Sequence, residues 1–241
     1  MEHAGSATRR TFTFDLLPPN DRKLLIADCT AVELVFGNVL YEPPMLVKHV
    51  YFPTTGFVSL VKTGSDGSSI EIGMIGREGL FGNELNTLDD HATITALVQG
   101  QGDAMRIGLV AFRSHVDRSP AIRELVRQHA SYRLRQMAQS ILCTRFHVIE
   151  QRLARWLLMT SDRAGSATFA VTHEFLSYML GARRSGVTFA MGALRDRGLI
   201  ASRRREVQIL DLPGLMATAC TCIEVDLEAY RRELLPRQAS K

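Results

Sequence analysis

The stretch LGARRSGVTFAMGALRDRGLI, residues 180–200, decides the fold. Gly181 suits a left-handed turn that a larger residue would strain. Beyond it Val187, Ala190, Met191 and Leu194 recur at helical spacing and make one apolar stripe on a helix running from about Arg183 to Arg197. Arg183, Arg184, Ser185 and Thr188 then project from the opposite side, near the start of that helix. Upstream, Thr172 is placed to cap a shorter helix, with Glu174 in its first turn and Leu176 and Leu180 four apart as its buried stripe. Ser177 is the small residue expected where the two helices cross. Two helices joined by a glycine turn, the second with a cationic start facing outward, form the arrangement a major-groove reading helix requires. Gly186 and Gly192 each cost about 1 kcal/mol relative to alanine in a helix. For Gly186, close approach to a nucleic-acid backbone and simple tolerance both account for the residue.

The next segment, GLIASRRREVQILD, reads as strand, basic turn, strand. Leu199 and Ile200 enter, Arg203, Arg204 and Arg205 occupy the tip, and Val207 and Ile209 return. A hairpin directly after a helix–turn–helix is a wing, and its arginines suit phosphate contact. From Gly181 to Arg205 seven arginines stand against the single acid Asp196, a local balance of +6 against +4 for the whole 241-residue chain.

The N-terminal part has another texture. From about Leu24 to Phe112, short apolar runs are broken by glycine and proline. Residues 57–62 alternate as a strand with one side buried, TGSDGS is a hairpin turn, and Ile70 and Ile72 begin the return. TITALVQGQGDAMRIG repeats the strand–turn–strand signal. Several such strands predict a sandwich or jelly roll.

After Pro120 no glycine or proline occurs from Ala121 to Arg163. Leu125, Tyr132, Gln139 and Phe146 fall seven apart, with His129, Gln136 and Cys143 on the interleaved line, so a long helix with a seam is expected. A second helix is centred on Leu153, Trp156 and Leu157, and residues 144–148 are the place for a hinge. The seam can lie on the chain's own β domain or pair with a second copy; its length favours pairing.

Other classes find little support. No apolar run approaches the roughly 18 residues that span a bilayer, and the N-terminus lacks a secretory apolar core. No Ser-His-Asp arrangement or P-loop is visible, so no enzyme is expected. Cys29, Cys143, Cys220 and Cys222 form no Cys-x-x-Cys pair, no zinc spacing and no N-terminal cluster of the iron–sulfur kind; no metal is expected, and Cys220 and Cys222 read as tolerated residues of a peripheral helix. A cytoplasmic protein with reduced thiols follows.

THEFLSYMLGARRSGVTFAMGALRDRGLI, residues 172–200, resembles the helix–turn–helix of the Crp/Fnr family of bacterial transcription regulators, and GREGLFGNEL, residues 76–85, resembles its β-roll cassette. The resemblance covers about Leu24 to Leu212 and implies an α+β chain. Residues 20–120 would form a jelly-roll-like, cyclic-nucleotide-binding-like sensor domain and 121–147 a dimerisation helix with Leu125, Tyr132, Gln136 and Cys143 on its seam. Residues 148–214 would form a winged helix–turn–helix and 215–241 a helical tail. It also implies a homodimer on palindromic double-stranded DNA, with RNA polymerase as a further partner and no membrane. Thr172, Arg183, Arg184, Ser185, Thr188, Arg203, Arg204 and Arg205 would face DNA. Arg184 falls on the family's base-reading arginine, while Ser185 and Phe189 stand where Glu and Arg are usual. The effector segment would comprise Gly82, Asn83, Glu84, Leu85, Ile94 and Thr95. Glu84 and Thr95 match the family's ribose and phosphate contacts, but Ile94 replaces the arginine opposite the phosphate. Losing that charge-assisted pair argues against cyclic AMP and leaves another small-molecule effector of unknown identity, or none. The competing reading is a ligand sensor whose winged helix recruits a protein instead of DNA.

Overall fold

A computed structural model describes residues 11–82, 90–203 and 205–234. Two short helices, α1 (Phe12–Asp15) and α2 (Pro19–Ala27), lead into the roll. One of its sheets has the order β1-β7-β3, built from β1 (Thr30–Leu34), β3 (His49–Pro53) and β7 (Gly102–Gly108). The other has the order β2-β6-β4-β5, built from β2 (Val39–Tyr41), β4 (Phe57–Thr63), β5 (Ser69–Ile75) and β6 (Thr95–Gly100). Mixed α and β structure with an N-terminal sheet domain agrees with the expected fold class.

Two details differ from the strand reading. First, β6 and β7 are consecutive but lie in different sheets, so the QGQG turn is a corner and not a hairpin. Gly102 makes the corner: a Cβ there would sit 2.6 Å from the Gly56 nitrogen. Second, β4 is buried on both faces. Val58 and Leu60 point into the roll with Tyr41, Ile75 and Phe81, while Phe57 and Val61 join an apolar cluster with Leu153, Trp156 and Leu157. Ser59, on that second face, bonds the Glu71 carboxyl. Single-strand periodicity cannot show that a helix will cover the outer face.

Helix α3 (Leu109–Arg118) turns the chain into α4 (Pro120–Phe146). Ser119 caps α4, accepting from the Ile122 N–H at 3.2 Å, and Pro120 at the first turn loses nothing by lacking an N–H. At 27 residues, α4 is roughly 40 Å long. His147 and Val148 are extended, and α5 (Ile149–Ala164) starts after them, so the helical run breaks within the expected hinge.

The seam on α4 faces inward. Leu125, Tyr132, Gln136 and Cys143, expected on a pairing face, are all buried within the chain. Leu125 packs with Phe112 under the roll, Gln136 lies against Gly73 of β5, and Tyr132 stacks edge-on with Tyr230, 6.3 Å between centroids. The heptad stripe is real, but its partners are the chain's own roll and its last helix. The outward face carries Leu134, 64% exposed, and Ile141, 71% exposed, with Ala138 between them.

The remaining elements are β8 (Thr168–Ala170), α6 (His173–Leu180), α7 (Arg184–Asp196), β9 (Ile200–Arg203), β10 (Glu206–Ile209), α8 (Leu212–Thr218) and α9 (Cys222–Leu234). The boundary expected at 214/215 falls inside α8, and Leu215 and Ile223 are buried in the same core as the winged helix. Nor is α9 peripheral. Asp226 accepts from buried Arg155 of α5, with Nε at 3.0 Å, and Ala229, Tyr230 and Leu234 cover Tyr132 of α4.

Candidate nucleic-acid interface

Thr172 has extended backbone angles and its hydroxyl accepts from the Phe175 N–H at 3.1 Å, which starts α6. Leu176, Met179 and Leu180 bury the inner side of α6. Gly181, at φ 53° and ψ 47°, ends it in the left-handed region, where the Gly181 and Ala182 N–H groups bond the Tyr178 and Ser177 carbonyls. The chain then re-enters a helix at Arg184.

In α7, Val187, Ala190, Met191 and Leu194 are at most 2% exposed. That anchorage turns Arg183, Arg184, Ser185, Thr188 and Phe189 outward; all five are exposed, Phe189 by 79%. The Arg183 side chain makes no capping bond, so the first-turn N–H groups of α7 stay open to an acceptor from outside. Thr188 Oγ1 lies 3.0 Å from His173 Nδ1, a contact sequence spacing did not suggest.

Charge is sorted along α7. At its far end Arg195 pairs with Asp196 at 3.2 Å and Arg197 with Glu150 at 2.8 Å. Among the described residues no carboxylate pairs with Arg183 or Arg184, so the net positive field is concentrated at the start of the helix.

Gly186 faces inward. A Cβ there would come within 2.6 Å of Ile149 Cδ1, the end of a flexible side chain, so the residue sits where α7 packs on the start of α5. Ser177, expected at the crossing, has its hydroxyl on the Glu174 carbonyl of its own helix at 2.6 Å.

The wing is a three-stranded sheet of order β8-β10-β9; the edge strand β8 was not anticipated because its three residues carry no alternation. Val207 and Ile209 are buried beneath it. Arg203 and Arg205 are exposed at the tip, and Arg205 takes φ 72° while its carbonyl accepts from the Val171 N–H at 2.7 Å. Arg204 lies outside the described residues, as do Asn83, Glu84 and Leu85 of the effector segment.

The rest of that segment is described. Gly82 has φ 91° and touches the His49 carbonyl, leaving no room for a side chain. Ile94 is 9% exposed and packs with Tyr41, Val47 and Phe81, and Thr95 opens β6 half-buried. A cavity of about 440 Å³ lies elsewhere, between Phe12 and Glu78 of the roll, Tyr132 of α4, and Met216 and Tyr230 of the C-terminal helices. Beside it Arg163 and Glu78 form a buried ion pair at 2.9 Å. Burial holds the nearby His129 imidazole down to about 4 and pushes the Glu71 carboxyl up to about 7.

Sequence spacing also missed a convergence at the hinge. Cys143 of α4, His147 at its end, and Cys220 and Cys222 at the start of α9 bring one donor atom each to within 4.8 Å of one another. Cys143, placed on the pairing seam by periodicity, belongs to this group.

A helix with a cationic start on a compact core, a wing beside it and a β-roll upstream along a long helix define a winged helix–turn–helix fold joined to an N-terminal β-roll. Residues 151–218 match the Crp-like helix-turn-helix domain. The chain is 24% identical over 218 residues to a CRP-like cAMP-activated global transcriptional regulator of Mycobacterium tuberculosis, covering 87% of this chain and 97% of that protein. It is 26% identical over 197 residues to the transcriptional regulator SdrP of Thermus thermophilus, covering 76% and 91%. Its fold is similar to that of a Crp/Fnr-family regulator of Eubacterium rectale, with a TM-score of 0.69 at 16% identity over 85% of this chain and 96% of that one. The chain is thus similar over most of its length to proteins that regulate transcription, and its residues 151–218 match the Crp-like helix-turn-helix domain. Among the described residues no helix is long and apolar enough to cross a membrane.

Proposed function

We propose that the protein acts as a homodimer that inserts two copies of α7 into successive major grooves of a palindromic operator. The carrying observation is the sorting of charge on α7: Arg183 and Arg184 stand exposed and, among the described residues, without carboxylate partners, beside open first-turn amides, while Arg195 and Arg197 are neutralised at the other end. Arg184 reads guanine through its two-pronged guanidinium, and exposed Phe189 contacts a thymine methyl. Arg183 and the wing arginines Arg203, Arg204 and Arg205 hold phosphates, Ser185 and Thr188 add polar contacts, and Thr172 positions α6 across the backbone. The outward apolar face of α4, Leu134, Ala138 and Ile141, pairs the two copies, since four-residue and three-residue steps keep these side chains on one line.

The signal enters at the roll. Ile94, packed into the roll's own apolar cluster, offers no cation to a cyclic phosphate, which supports an effector other than cyclic AMP at Gly82, Ile94 and Thr95, with Asn83, Glu84 and Leu85. The signal shifts the population of dimer geometries, only one of which spans both half-sites. Selection of bound duplexes from a randomised pool tests the proposal. An inverted repeat with half-site centres about 10 bp apart is expected; enrichment of an unrepeated site, or of none, would refute it. Thermal stabilisation by cyclic AMP would overturn the reading of Ile94.

A further inference from the structure

We infer that Cys143, His147, Cys220 and Cys222 form a mononuclear, tetrahedral site for a thiophilic divalent ion of the zinc class, which clamps the start of α9 to the break between α4 and α5. The donor set is three sulfurs and one imidazole nitrogen, all within 4.8 Å of one another. Cys143 Sγ lies 3.5 Å from Cys220 Sγ, and Cys222 Sγ lies 3.4 Å from His147 Nδ1. A tetrahedral ion with Zn–S bonds of about 2.3 Å sets neighbouring donors roughly 3.8 Å apart, so the two close pairs need spread by only a few tenths of an ångström and the wider separations, up to 4.8 Å, close by about 1 Å at most. An iron–sulfur cluster distributes its thiolates over several irons and needs a wider cage.

Buried cysteines commonly behave as small apolar residues. These do not. Cys143, Cys220 and Cys222 pack on one another as a cluster separate from the apolar cores, with a ring nitrogen as fourth neighbour. They come from segments far apart in the chain: Cys143 and His147 are one helical turn apart, whereas Cys220 and Cys222 follow 73 or more residues later.

A second observation is independent of the thiols. Arg152 is buried, and among the described residues no carboxylate pairs with it; its guanidinium donates to the Leu180 carbonyl and to Thr144 Oγ1 at 3.4 Å. It lines the same small cavity as Cys143. A divalent ion held by three thiolates and a neutral imidazole carries one net negative charge, which supplies the anion this buried guanidinium otherwise lacks. Loading releases the thiol protons and changes no oxidation state. The ion would fix the hinge, and through Arg152 and the Leu180 carbonyl it would bear on the turn that opens α7.

The test uses the full chain purified without chelator under reducing conditions. Elemental analysis is expected to find about one zinc per chain, and cobalt(II) added after chelation should give the intense d–d bands and sulfur-to-cobalt charge transfer of a tetrahedral thiolate site. Cys220→Ser/Cys222→Ser should cut bound metal to under about a tenth, while Cys29→Ser, outside the cluster, retains it. His147→Ala should weaken retention and alter the cobalt bands. Circular dichroism confirms that each variant is folded, and the chelated wild type supplies a comparison that needs no mutation. Absence of metal with octahedral cobalt spectra in the folded wild type would overturn the site. So would acid-labile sulfide with iron, or a Cys143–Cys220 disulfide that persists in the protein purified under reducing conditions. These readouts stand whether or not the protein binds a palindrome.

Discussion

Replacing Arg184 with alanine isolates the reading role of α7. The side chain is exposed and has no carboxylate partner among the described residues, so its removal leaves the core beneath it, Val187 to Leu194, untouched. On DNA the change removes one bidentate contact to guanine from each half-site, worth about 1–3 kcal/mol apiece. Two symmetric half-sites lose about 2–6 kcal/mol, or roughly 30-fold to more than 10⁴-fold in affinity. Arg203→Gln at the wing acts differently. It removes one phosphate contact per protomer, so the slope of log K against log salt becomes shallower by about 1.8. Between about 50 and 200 mM salt the wild type then loses roughly 12-fold more affinity than this variant. Fluorescence anisotropy with the selected duplex and a scrambled one, at several salt concentrations, separates the two effects. Arg184→Ala should collapse the ratio between duplexes and leave scrambled binding little changed; Arg203→Gln should weaken both alike. If Arg184→Ala weakens both duplexes equally, or leaves the selected one unaffected, the reasoning about α7 is wrong.

Three further outcomes follow from the packing. Leu134→Glu/Ile141→Glu, on exposed positions of α4, should convert a dimer to monomers in sedimentation without changing the helical spectrum; an intact dimer would place the pairing face elsewhere. Asp226→Ala strands the buried Arg155 guanidinium and should cost about 3–5 kcal/mol in urea unfolding, much of it restored by adding Arg155→Met. Equal stability in the single variant would contradict the buried pair. For His129, the neutral ring is shared by folded and unfolded chains above about pH 6.5. As pH falls below that value the unfolded chain takes up a proton that the folded chain refuses until about 4, so stability is lost through this window. Glu71, pushed up to about 7, works in the opposite direction. His129→Leu should therefore lose less stability than wild type, by up to about 3 kcal/mol, between neutral pH and pH about 4.5. Parallel stability profiles for the two proteins would rule out a suppressed His129.

Sequence by itself determined what depends on neighbours along the chain. Thr172, Gly181 and the Val187–Leu194 stripe specify two helices and their turn through capping, backbone freedom and periodicity, all of which act within a few residues. The wing followed from its alternation, and the hinge from where helical spacing stopped. Tertiary structure decided which partner each stripe meets. The heptad on α4 was legible, yet its buried side turned to the roll and to α9, because periodicity records that a face is apolar and not what covers it. For the same reason local pattern covers β4 on one face only, leaves Gly186 open between close backbone approach and simple tolerance, sets Cys143 on a pairing seam and makes Cys220 and Cys222 tolerated residues. Only the folding of α9 back onto the end of α4 brings Cys220 and Cys222 to Cys143 and His147, and no local pattern encodes a meeting across so much intervening chain.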